Sequence, residues 1–113
     1  MRSGATGLRA WVWQRVSAIY LALFSLLLIG HFIIAPPVDA AAWRDWVATP
    51  WVAVGGYLYF IALAIHSWIG VRDIFIDYIK PAPIRLLLLL LLGFGLATST
   101  LWALRVITLA ALV

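Results

Sequence analysis

Long apolar runs alternate with short polar joints along this chain. Val16 to Ala35, Trp51 to Val71 and Leu86 to Leu104 each lack Asp, Glu, Lys and Arg. Each approaches or reaches the roughly 20 residues that a helix needs to cross about 30 Å of hydrocarbon. Helices are the expected form, because lipid cannot satisfy an open backbone. Three crossings put the termini on opposite sides of the bilayer. The joints predict their own structure. In "GLRAWVWQR", before the first span, Leu8, Trp11 and Val12 share a helical face, and Trp11 and Trp13 suit the headgroup region. Pro36-Pro37 ends the first span. Asp39 is placed to cap a short helix, "AAAWRDWVA", with Trp43, Trp46 and Val47 on one side and Arg44 and Asp45 away from it. Only Pro81 to Arg85 separates the second and third spans, so these are antiparallel neighbours. Gly93 and Ala97, four apart, predict a close helix contact.

Composition agrees with that pattern. Hydrophobic residues make up 66% of the 113 and charged residues 11%. An ordinary soluble domain carries about 25% charge. Mean hydropathy is +1.10. A single domain of this size cannot hide so much apolar surface from water, so lipid covers much of it. The expected architecture is an all-α membrane protein, one domain over residues 1–113. Its spans lie at about 16–35, 51–78 and 86–105, with a short outer interfacial helix at about 40–48. A secretory h-region is usually about 7–15 residues, shorter than the first apolar run, so that run is read as a span and not as a cleaved leader.

Charge orients the spans. With the N-terminus inside, the inner side holds Arg2, Arg9, Arg15, Arg72, Lys80 and Arg85, and the outer side only Arg44 and Arg105. That bias is the positive-inside pattern. It predicts a cytoplasmic N-terminus and a periplasmic C-terminus. The net charge of +4 therefore reports topology. A nucleic-acid surface needs basic residues gathered on one water-facing patch, and none is seen. There are no cysteines, which excludes disulfides, zinc thiolates and iron–sulfur ligation by this chain. No apolar run carries a carboxylate, which disfavours a proton- or cation-coupled carrier.

The polar residues left in or near the membrane are few. His66 stands five residues inside the end of the second run. At 100° per residue, position 77 returns to within about 20° of position 66. Ala62, Gly70, Asp73 and Asp77 therefore lie near the line of His66. Small residues beside a histidine leave room for something flat and wide, such as a haem, or for a closely packed helix. The plainer role for His66 is a hydrogen bond to a neighbouring helix. His31, near the outer end of the first span, is expected to make a polar interfacial contact. The two histidines lie about 9 Å and about 22 Å from the inner boundary, so they cannot easily grip one haem. A six-coordinate haem would need its second ligand from another chain. Asp77 and Tyr78 follow the apolar run. They read either as a solvated helix end, with Asp77 paired to Lys80, or as a polar contact for a ligand headgroup. A phenol suits a quinone carbonyl, because it donates a hydrogen bond while its ring stays in apolar surroundings.

"HSWIGVRDIFIDYIKP", residues 66 to 81, resembles the signature of the hydrophobic membrane-anchor subunit of succinate dehydrogenase, the D-type subunit of respiratory complex II. "QRVSAIYLALF", residues 14 to 24, resembles the opening of that family's first helix. Ser67 departs from it, standing where alanine is common. The resemblance implies half of a six-helix, two-subunit anchor. His66 would be one axial ligand of a b-type haem, and a C-type anchor subunit would supply the other. Tyr78 and Asp77 would meet ubiquinone, and Arg15 the haem propionates or a headgroup. An iron–sulfur protein and a flavoprotein would dock at the inner face. The chain itself has no flavin fingerprint and no dicarboxylate site, so it would be a non-catalytic subunit of a bacterial cytoplasmic-membrane complex, favoured over a mitochondrial one. An anchor of a fumarate reductase or another haem-b oxidoreductase, or a small cofactor-free structural membrane protein, remains the alternative.

Overall fold

A computed structural model of the chain describes residues 4–112. Arg2, counted above among the inner charges, lies outside the described residues. The described residues form four helices: α1 (Gly4–Ile34), α2 (Ala40–Ala48), α3 (Pro50–Tyr78) and α4 (Ala82–Leu112). Among the described residues there is no strand.

The helices start and stop for local reasons. α1 begins at Gly4, not at residue 16, because nothing from Leu8 to Val16 breaks a helix and the amphipathic lead-in joins the span. It ends before Pro36, whose ring pushes the preceding residue out of helical geometry. α2 is capped as the sequence predicts: the Ala42 N–H donates to Asp39 Oδ1 at 2.7 Å. α3 opens with Pro50 in its first turn, where a missing N–H costs nothing. The hydroxyl of Thr49 donates back to the Asp45 carbonyl at 3.1 Å, tying the two helices together. α4 runs past the predicted end at residue 105 to Leu112. Arg105 interrupts an apolar run but is a good helix former, so the helix continues where the lipid-matched stretch stops.

α3 is the central helix. It packs against α1 on one side and α4 on the other, and α1 and α4 do not pack on each other. Two adjacent glycines allow this. A Cβ on Gly55 would collide with the ring of Phe24 on α1. A Cβ on Gly56 would sit 3.1 Å from Ile107 Cδ1 on α4. Close approach through small residues is the usual substitute for hydrophobic driving force in lipid. Hydroxyls add to it. Tyr20 donates to the Gly55 carbonyl at 2.6 Å, Ser25 meets the Tyr59 hydroxyl at 2.9 Å, and Tyr57 meets Thr108 at 2.7 Å. Such bonds contribute about 0.6 kcal/mol each on average in a bilayer. The expected contact at Gly93 is present: a Cβ there would lie 3.5 Å from the Trp68 ring. Ala97 lines the same groove.

The pairs that touch also give direction. Ser17 meets His66 at the α1–α3 contact, and Tyr57 meets Thr108 at the α3–α4 contact. Further along the same interfaces Ser25 meets Tyr59 and Trp68 lies beside Gly93, so in each pair the numbering rises on one helix as it falls on the other, and the neighbours are antiparallel. Arg9, Arg15, Arg72, Lys80 and Arg85 therefore gather at one end of the bundle, and Arg44 and Arg105 at the other. The molecule measures 51 × 25 × 20 Å, enough length for hydrocarbon and both interfaces. Among the described residues Val52, Ala53, Ile69 and Ile107 are the buried apolar ones, while Leu26, Leu90, Phe94 and Leu101 are exposed. Three helices in a row cannot enclose a core. Lipid or protein must cover what they leave open.

Candidate functional site

The polar line on α3 begins at His66, half-buried against α1. Its Nδ1 lies 3.3 Å from the hydroxyl of Ser17. Ser17 is the one buried polar residue among those described, 4% exposed, and its hydroxyl also donates to the Gln14 carbonyl at 3.1 Å. One turn along α3, a Cβ on Gly70 would lie 3.4 Å from the Gln14 amide nitrogen. The other end of that amide, Gln14 Oε1, is buried without a hydrogen-bond partner. The space left by Gly70 is thus taken up by α1, as expected of a closely packed helix and not of an open slot. The plainer role foreseen for His66, a hydrogen bond to a neighbouring helix, is realised on one ring nitrogen. Among the described residues, none bonds the other nitrogen, Nε2.

Beyond His66 the line becomes charged. The Arg72 guanidinium contacts Asp73 Oδ1 at 3.1 Å through Nη2 and 3.3 Å through Nε. Asp77 is exposed, and Tyr78 is 76% exposed. The expected Asp77–Lys80 pairing takes another form: the Lys80 ammonium donates to the main-chain carbonyl of Asp77 at 2.7 Å. That bond closes the helix end, where unsatisfied carbonyls attract a cation. Along the axis Tyr78 is about 18 Å from His66, so the two belong to separate sites on one helix. Arg15 is exposed, its guanidinium 5.3 Å from the centre of the Trp11 ring, one turn back on α1.

The opposite end has a different character. His31 stacks on Trp46 with ring centres 4.9 Å apart and planes 16° from parallel. Phe32 stacks on Trp43 at 5.6 Å. To the polar interfacial contact expected for His31 the fold adds an aromatic one, because α2 folds back and presents Trp43 and Trp46 to the end of α1. Beneath this cluster lies a cavity of about 720 Å³, lined by Phe24, Leu28, Tyr59, Phe60 and Ile107 among others. Its walls are almost wholly apolar. His66 lines neither this cavity nor the groove of about 640 Å³ at Trp68 and Gly93.

Sequence reasoning missed Ser17, Gln14 and Gly55. Ser17 and Gln14 stand in the stretch that carried the resemblance, yet nothing in a linear sequence says which face of α1 meets α3. Gly55-Gly56 carried a usable signal: paired small residues in an apolar run mark helix contacts.

The arrangement offers one imidazole within the membrane and one exposed phenol at a helix end. The family described as the succinate dehydrogenase/fumarate reductase transmembrane subunit matches residues 2–102. The succinate dehydrogenase hydrophobic membrane anchor subunit of Coxiella burnetii (strain RSA 493 / Nine Mile phase I) is 27% identical over 109 residues, 96% of this chain and 95% of that one. The chain belongs to the succinate dehydrogenase/fumarate reductase transmembrane subunit family.

Proposed function

We propose that this chain is a membrane-anchor subunit of a succinate:quinone oxidoreductase. In this reading His66 is one axial ligand of a b-type haem, and Tyr78 with Asp77 helps form a ubiquinone site. The observation that carries it is the state of the His66 ring. One nitrogen is held by α1 and the other is left, within a span where a histidine without a partner is costly. Metal-binding histidines usually have that arrangement, with the second nitrogen hydrogen-bonded to a supporting group. The residues present therefore fit a haem ligand. His66 lines neither of the two hollows described above, which suits a group shared with a second anchor subunit of the C type. A bound haem would supply a one-electron relay.

The chain's own residues do the rest. His66 would hold the haem iron through the ring nitrogen that α1 leaves, with α1 fixing the ring. Tyr78, exposed at the basic end, donates a hydrogen bond to a quinone carbonyl. Asp77 beside it accepts or relays a proton at the water boundary. Arg15 meets a propionate or a lipid headgroup. Arg9, Arg15, Arg72, Lys80 and Arg85 lie at one end, and by the positive-inside rule this supports a cytoplasmic reading of that end and of the N-terminus. An iron–sulfur protein and a flavoprotein dock there, and the setting is a bacterial inner membrane.

Purification in mild detergent tests this directly. A flavoprotein, an iron–sulfur protein and a second small membrane subunit should co-purify, with a reduced b-type haem spectrum. Recovery of the chain alone, without haem, would point to a cofactor-free structural protein. A reporter within 80–85 should read as cytoplasmic and one after Val113 as periplasmic; the reverse would overturn the orientation.

A further inference from the structure

We propose that Ser17 is the positioning residue of His66. It fixes the imidazole in the tautomer protonated on Nδ1 and leaves the Nε2 lone pair for iron. The inference rests on the haem reading above and adds to it the partner that selects the tautomer.

The argument is a count of protons. Ser17 Oγ carries one hydrogen and lies 3.1 Å from the Gln14 carbonyl and 3.3 Å from His66 Nδ1. A carbonyl brings no hydrogen of its own. Both contacts are attractive at once in one arrangement only: Ser17 donates to Gln14, and the Nδ1–H of His66 donates to Ser17. If Ser17 instead donated to Nδ1, its oxygen would face the Gln14 oxygen at 3.1 Å with no proton between them. Ser17 as a whole is only 4% exposed, so water has little access to compete for either bond. A neutral imidazole with hydrogen on Nδ1 has its remaining lone pair on Nε2. Hydrogen bonding at Nδ1–H raises the basicity of the other nitrogen. It therefore favours the oxidised iron and lowers the haem potential.

The test uses the assembled complex with Ser17→Thr and Ser17→Val. These two side chains have the same shape and differ in the hydroxyl. Threonine in a helix can still bond the carbonyl three or four residues back, as Ser17 does. Ser17→Thr should keep the wild-type haem potential and the wild-type low-spin resonance signals. Ser17→Val should raise the potential, shift those signals and weaken haem retention about 10–100-fold. If threonine and valine give the same potential, signals and retention, Ser17 is a packing residue and the proposal fails. His66→Ala separates this from failure of the haem reading itself. If that variant keeps the haem, His66 is not a ligand, and Ser17 has no ligand to position.

Discussion

The two histidines of this chain sit at different depths, His31 at one end of the bundle and His66 near the middle of α3, and are held in different ways. His31 offers its face: it stacks on Trp46, 16° from parallel, in a cluster with Phe32 and Trp43. His66 offers its edge: Nδ1 points at the buried hydroxyl of Ser17. A histidine held by its face serves as a flat aromatic ring, and either protonation state can stack. A histidine held at one nitrogen has its second nitrogen aimed in a fixed direction. On the reading proposed above, that second nitrogen is the one a ligand would use. Residue type and depth in an apolar run suggest two candidates, and the hydrogen-bond partner distinguishes them.

The largest expected effect comes from exchanging the two. His66→Ala should abolish or strongly shift the haem absorbance while the chain still inserts. His31→Phe keeps a flat ring against Trp46 and should leave the spectrum unchanged. Haem content per complex, measured after purification, checks both. Loss of haem in His31→Phe with retention in His66→Ala would reverse the assignment.

A second experiment sharpens the contrast within α3 itself. Tyr78 lies about 18 Å from His66 along the axis, so quinone contact and haem ligation should be separable. Tyr78→Phe removes one hydroxyl from a residue that is 76% exposed, so packing should survive. Loss of a hydrogen bond to a quinone carbonyl costs about 1–3 kcal/mol. That is roughly a five- to 150-fold fall in quinone reduction. Haem content, and succinate oxidation with a dye that takes electrons before the quinone, should be unchanged. Equal loss of dye and quinone activity would make Tyr78 structural.

These contrasts also show what the sequence could reveal. The three spans, the short capped helix and the contact at Gly93 all follow from local rules: apolar length, an Asp at an N-cap, a small residue on a helix face. The extra turns of α1 and α4 were not legible, because a charge marks the edge of the lipid-matched stretch and a helix does not have to stop there. The Ser17–His66 bond joins residues 49 apart. Finding it requires the rotation of α1 about its own axis, which three weakly amphipathic helices do not declare. The stacking of His31 was illegible for a related reason. Its neighbours in space come from α2, and the fold-back that brings Trp43 and Trp46 to it depends on the Pro36-Pro37 turn.

The third expected effect, on stability, is of similar or smaller size. Gly55→Ala places a methyl group where the Phe24 ring now lies. Overpacking of this kind typically costs about 1–3 kcal/mol. It should also disturb the nearby bond from Tyr20 to the Gly55 carbonyl. Thermal unfolding of the purified complex in detergent should start at a lower temperature, with the α1–α3 contact loosened. An unchanged transition would mean that Phe24 swings freely into the adjacent cavity, and the tight approach at Gly55 would lose its structural meaning.

Gly70→Ala is the smallest change and the finest probe of the polar line. Like Gly55, Gly70 faces α1 from α3, and sequence alone would rank the two glycines together. Their surroundings differ. The new methyl at 70 meets only the amide nitrogen of Gln14, at 3.4 Å, near the limit of ordinary contact and at the far end of a flexible side chain. Gln14 can shift by a few tenths of an ångström, and alanine gains up to about 1 kcal/mol over glycine in a helix interior. Stability should therefore be unchanged or slightly raised, opposite in sign to Gly55→Ala. A shift of the Gln14 side chain leaves its main-chain carbonyl in place, so the Ser17 and His66 bonds should hold and the haem potential should stay at its wild-type value. Unfolding temperature and potential, read on the same sample, decide it. A clear loss of stability would mean that Gln14 is rigidly held. Loss of haem without loss of stability would mean that the bare backbone at Gly70 is itself part of the haem-facing surface, and the face of α3 turned to α1 would have to be shared with the cofactor.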